Sequence, residues 1–168
     1  AYPNLKGLGM PISVAAIPKS RQLLVIVQDK AYGPTQIIRF EDKPDVETVE
    51  LVMSQEGTAY DFAFHPRFAE NGYLFIGWND GEATRISRFR LDPSTYDLDP
   101  DSEVGFLTWD GNGHNGGAID FGPDGYLYVT TGDGSSDSDV RLNGQRTDVL
   151  HAKLLRIDVD KPTGGKPY

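Results

Sequence analysis

The chain contains no cysteine, which excludes disulfides, thiolate metal centres and cysteine nucleophiles. That absence fits the periplasm and the cytosol equally. Positive charge is scarce: 16 Lys and Arg against 25 Asp and Glu give 16 − 25 = −9. General nucleic-acid binders and anionic-membrane binders need a basic face, so this balance argues against both. No apolar run approaches a membrane span in length. The first residues lack the charged and apolar regions of a signal peptide, so any export signal is expected to have been removed or to lie outside this sequence. Apolar residues do not recur at helical spacing over any useful length. No serine sits in a Gly-x-Ser-x-Gly elbow, which leaves a hydrolase unsupported. Gly-x-Gly patterns such as Gly111-Asn-Gly113 read as turn glycines, because no helix follows to bind a phosphate.

What the chain does have is aromatic and β-branched segments separated by 19 Gly and 11 Pro, the pattern of an all-β protein. Its 168 residues predict a single domain with enough chain for a core. Three stretches repeat one design. Ile12–Pro18, Asp61–Pro66 and Ala118–Pro123 are alternating strands that end in proline. Each leads through a polar turn into an apolar strand beginning at Gln22, Tyr73 or Tyr126, and these starts are 51 and 53 residues apart. A third strand closes each unit around Arg39, Arg88 and Arg156. The first two are 49 residues apart and the last two 68, which predicts an insertion near Asp133–His151.

Self-similarity near 50 residues with several short strands per unit is the signature of propeller blades. The predicted units are residues 1–54, 55–110 and 111–168, with fourth strands at Glu47–Met53 and Glu103–Trp109. Asp92–Glu103 reads as a turn-rich acidic loop. Under three complete blades cannot close a ring, since propellers use about four to eight. Either the chain is a piece of a longer protein, the favoured expectation, or copies associate to complete the ring.

The most informative segment runs from Gly113 to Gly134. It places His114 in a glycine-rich turn before two strands joined at Gly122-Pro-Asp-Gly125, and a second polar loop follows them. An imidazole on a strand-entry loop, facing the exit loop of the next strand, can act as a general base over a small-molecule site. It can equally do no more than hydrogen-bond its own turn. His65, in Phe-His-Pro, reads as a packing or turn histidine. His151 has no partner recognisable from sequence. Asp133, Asp137 and Asp139 alternate like hard-cation ligands, but the glycine and terminal glutamate of an EF-hand loop are missing. No metal ligand is assigned within the chain.

The His114–Gly134 segment, Phe62-Ala-Phe-His-Pro66 with Asn71-Gly-Tyr73 behind it, Arg88-Phe-Arg90 and Lys153–Asp160 together carry a resemblance. The chain resembles the first half of the soluble quinoprotein glucose/aldose-sugar dehydrogenases, pyrroloquinoline-quinone (PQQ) enzymes built on a six-bladed propeller. The resemblance implies an oxidoreductase that oxidises a sugar at its anomeric carbon, in the periplasm or outside the cell. His114 matches the base that takes the anomeric hydroxyl proton while hydride passes to the quinone. Glu56 matches a Gln/Glu position lining the sugar site, or is an exposed turn carboxylate. Asp133 matches an aspartate near the cofactor, or accepts N–H bonds of its own turn. Asn115, next to the base, falls on the cofactor side. Calcium is implied as well, but its ligands and the cofactor's Lys and Arg belong to later blades.

Three departures go with this. Thr58-Ala-Tyr-Asp61 stands where the family shows Gly-Leu-Leu-Gly. Gly113 replaces an Asn or Asp, removing a polar contact near the quinone. Ser135–Asp139 is acidic, unfavourable toward a cofactor bearing carboxylates. The chain alone is therefore expected not to bind the quinone tightly and to be inactive without the rest of the ring. Non-catalytic relatives such as hedgehog-interacting proteins share this propeller, so a ligand- or protein-binding module is the alternative.

Overall fold

The computed structural model describes residues 2–111 and 113–168. Ala1, the first residue of the predicted first unit, and Asn112, within the Gly111–Gly113 turn, lie outside the described residues. The described chain forms three antiparallel meanders, and within each sheet a strand pairs only with its neighbours in sequence. The first sheet contains β1 (Met10–Ala16), β2 (Gln22–Gln28), β3 (Thr35–Glu41) and β4 (Glu50–Gln55). The second contains β5 (Thr58–Phe64), β6 (Tyr73–Asn79), β7 (Ala83–Leu91) and β8 (Leu98–Asp110). The third contains β9 (Gly116–Phe121), β10 (Leu127–Thr131) and β11 (Leu154–Ile157). One helical turn, α1 (Phe68–Asn71), follows the Phe-His-Pro segment. This all-β array is a partial β-propeller, as the repeat predicts.

The middle sheet is buried on both faces, which explains why β6 reads Leu-Phe-Ile without a polar interruption. Leu74 and Ile76 pack with Leu24, Ile26 and Ile37 of the first sheet. Phe75 points the other way, into a cluster with Ile119, Leu127 and Val129 of the third. Each such side chain, removed from water, contributes ~1.5–3 kcal/mol.

The first strands β1, β5 and β9 lie side by side and bring three sheets to one place. Asp61 of β5 connects them. Its Oδ1 accepts from the Ser13 hydroxyl of β1 at 2.8 Å, and its Oδ2 accepts from the Ile119 N–H of β9 at 3.0 Å. Behind β5 the second and third sheets touch backbone to backbone. A Cβ added at Gly77 would lie 2.2 Å from the Gly117 carbonyl oxygen, so β6 can approach β9 only with glycine there.

Two predicted boundaries need correction. β4 begins at Glu50 rather than Glu47. The acidic stretch from Asp92 is a turn only to Asp97, because β8 starts at Leu98 and pairs Leu98 with Leu91 and Asp99 with Arg90. Pro100 falls in the register shift opposite Arg88 and Arg90, where a proline breaks no ladder hydrogen bond. That bulge is what makes the strand look like a loop in sequence.

Candidate functional site

The turn that enters β9 is fixed through its backbone. The His114 N–H donates to the Ser135 carbonyl at 2.7 Å, and the Gly134 N–H donates to the His114 carbonyl at 3.0 Å. The next carbonyl, of Asn115, accepts from Gly132 N–H at 3.1 Å and from Trp109 Nε1 at 3.0 Å. Entry and exit loops of one sheet are thereby tied together across its mouth. Gly113 follows from this closeness: a Cβ there would lie 2.0 Å from the Ser135 oxygen. The glycine that reads in sequence as a lost polar contact is a steric requirement of this loop.

The imidazole of His114 remains about half exposed, and its Nδ1 lies 3.4 Å from Asp133 Oδ2. Asp133 is held from its other oxygen by the Ser135 hydroxyl at 2.6 Å and N–H at 2.8 Å. Those two bonds, with a smaller contribution from His114, lower the carboxyl's pKa below the usual aspartate value. Asp133 thus accepts its turn's N–H, one of its two expected roles, and it also faces the histidine. With the Nδ1 proton turned toward Asp133, the Nε2 lone pair is the one left to accept a proton.

Beside this pair lies an open cleft of about 530 Å³, lined among others by Tyr32, Glu56, Tyr60, Asn79, Asp80 and Asn115. Two of the four expected site residues, Glu56 and Asn115, share it. His114 and Asp133 are not among its described lining residues; they meet each other next to it, joined to it through Asn115. Tyr60 and Asp80 were not singled out by sequence. Asp80 is pulled down to about 2, first by the Ala83 N–H, then by Arg85 and the Glu82 N–H. Asn79-Asp-Gly81 is a hairpin turn signal, and that signal was available.

The other histidines are buried. Nδ1 of His65 accepts from the Arg67 N–H and Asn71 Nδ2 at 3.0 and 2.9 Å, the packing and turn role the sequence predicts. His151 has a partner that is not recognisable from sequence: its Nε2 meets the Asp110 carbonyl. Asp139 accepts from the Asn143 and Gly144 N–H groups at 2.6 and 2.7 Å, at the start of a short 3-10 turn. Among the described residues no cluster of three His, Cys, Asp or Glu could hold a metal ion.

A family model described as glucose/sorbosone dehydrogenase matches residues 8–167. The PQQ-bound aldose sugar dehydrogenase of Streptomyces coelicolor is similar in structure, with a TM-score of 0.70 and 27% identity, over 98% of this chain and 51% of that one. The HIPL2 protein of Arabidopsis thaliana is 34% identical over 140 residues, 58% of this chain and 20% of its own. The Hedgehog-interacting protein of Homo sapiens is 28% identical over 98% of this chain and 26% of its own length. The chain therefore spans between a fifth and about half of the lengths of these relatives.

Proposed function

Because the chain belongs to the glucose/sorbosone dehydrogenase family, we propose that the protein it represents is a PQQ-dependent aldose sugar dehydrogenase with His114 as general base. One arrangement supports this. A half-exposed imidazole, anchored through its own backbone and paired with Asp133, stands next to a polar cleft. Asp133 orients the ring and stabilises the imidazolium, while Nε2 accepts the proton of a sugar's anomeric hydroxyl. Glu56 and Asn115 offer acceptor and donor groups to the remaining hydroxyls or, for Asn115, to the cofactor. A location in the periplasm or outside the cell belongs to the same proposal. Among the described residues no helix is long and apolar enough to cross a membrane.

The quinone itself does not fit the residues present. It carries carboxylates, whereas the described residues lining the cleft include Glu56 and Asp80 but no Lys or Arg. Like charges at such range repel, so no step is assigned to the cofactor here. The cations and calcium ligands that the family implies are proposed to lie outside these residues, in the rest of the ring.

The test is dye-linked aldose oxidation by the longer protein supplied with PQQ and calcium. His114→Ala is expected to lower kcat by roughly 10²–10⁴-fold, the usual weight of a positioned general base. Unchanged kcat would remove His114 from that role. A second reading, a non-catalytic propeller that binds a ligand or protein, is favoured by a cleft whose described lining residues include no Lys or Arg and by similarity to the Hedgehog-interacting protein. Failure to oxidise any aldose would select it.

A further inference from the structure

We propose that Tyr60 and Asn115 form a positioning pair that sets the orientation of His114. The catalytic weight of this pair rests on the reading of His114 as the base; its geometry does not. Tyr60 belongs to β5 in the second sheet, while His114 and Asn115 belong to the turn entering the third. The Asn115 Nδ2 donates to the Tyr60 hydroxyl at 3.0 Å, across 55 residues of sequence. Its Oδ1 accepts from the Gly113 N–H at 3.3 Å. One carboxamide therefore connects the residue before His114 to a neighbouring sheet.

The remaining anchors of the turn divide unevenly. Ser135, Gly134 and Gly132 hold it from its own sheet's exit loop. From the second sheet it is held by Trp109, through the Asn115 carbonyl, and by Tyr60, through the Asn115 side chain. Tyr60 is the one of these that also lines the cleft. Its ring packs closely against Gly117, where a Cβ would lie 3.0 Å from Cδ2. Tyr60→Phe keeps that packing and removes only the hydroxyl. Without it, the carboxamide loses this link across the sheets, which loosens the turn that holds the His114 ring 3.4 Å from Asp133.

The experiment uses diethyl pyrocarbonate on the 168-residue chain, with modified histidines assigned by peptide mass spectrometry. The reagent attacks accessible neutral imidazole. The His114 side chain is 54% exposed, against 2% for His65 and 8% for His151, so His114 should react first. Tyr60→Phe is expected to raise its reaction rate roughly fivefold, the change in population that one neutral hydrogen bond controls. Asn115→Ala removes that bond and the Gly113 N–H bond as well, so it should raise the rate at least as much, and the double variant should go no further than Asn115→Ala alone. Tyr128→Phe, which loses a hydroxyl bond to Asp124 at 2.8 Å in the third sheet, should leave the rate unchanged.

An unchanged rate in Tyr60→Phe would overturn the proposal, and so would a double variant whose effect is the product of the singles. Reaction of all three histidines in Tyr60→Phe would show general loosening and would overturn a local role as well. The readout is independent of turnover. If the pair passes while the longer protein oxidises no aldose, the positioning role stands and the dehydrogenase reading falls.

Discussion

His65 is buried, and its two ring nitrogens meet different surroundings. Nδ1 accepts two hydrogen bonds, so the neutral ring carries its proton on Nε2. Nε2 faces Asp160 at 3.4 Å without hydrogen-bond geometry, and Arg67 holds the same carboxylate at 2.8 Å. Burial lowers the pKa most; Asp160 opposes it, and Arg67 and Arg88 add to it. With the folded value below the ordinary 6.5, the unfolded chain takes up the proton first. Stability from the neutral ring is then full above about pH 6.5 and declines as pH falls toward the folded pKa. Thermal melts followed by circular dichroism should show a lower Tm at about pH 5.5 than at about pH 7.5, and His65→Gln should reduce that difference. A slope identical in the variant would assign the effect to other groups. Gly113→Asn, which restores the residue type the family resemblance calls for, should also lower Tm, because its Cβ would collide with the Ser135 oxygen. At this scale sequence distinguished His65 as a packing group because Phe-His-Pro is a local signal. It could not find the partner of His151, a carbonyl 41 residues away, or the steric reason for Gly113. Both come from loops that meet only after folding.

Among the elements, those with apolar runs were the most legible. β2, β6, β7 and β10 begin within a residue or two of where alternation and turn residues place them. β8 was half hidden, since Asp99, Pro100 and Asp101 mask a strand that tolerates them through its bulge. The cleft was hidden for a different reason: its lining comes from turns of several sheets, and Tyr60 carries no short-range signal of that company. Close contact between β6 and β9 yields a direct test. Gly77→Ala should destabilise the fold by ~1–3 kcal/mol, the range for overpacking a fitted site, because the facing atom is backbone. Urea unfolding would measure it as a lower midpoint with the slope unchanged. A midpoint equal to the parent would mean that the two sheets can separate without cost.

For the whole molecule, the outward faces of the first and third sheets differ. On the first, Val14, Val25, Ile38 and Leu51 lie in one row across four strands. Tyr2, Leu5 and Leu8 cover part of this face, while Val14 and Leu51 stay exposed. On the third, Asp120, Tyr128 and Arg156 form the corresponding row. Closing a ring with a second copy would stack an apolar face on a charged one, an unfavourable match. Sedimentation is therefore expected to give the monomer mass of 18.5 kDa, and a stable dimer would contradict this. The array of sheets was readable from the 50-residue repeat. The character of its two ends was not, because it depends on register.

One carboxylate shared by three strands also has a mechanical meaning. Asp61 joins β1 to β5 and β5 to β9 at a single side chain, so it is one link that tension between the flanking sheets loads on both sides. In a pulling experiment the first rupture should free both flanking sheets together. Asp61→Asn, with one oxygen replaced by a donor, should let them part in two separate steps at lower force.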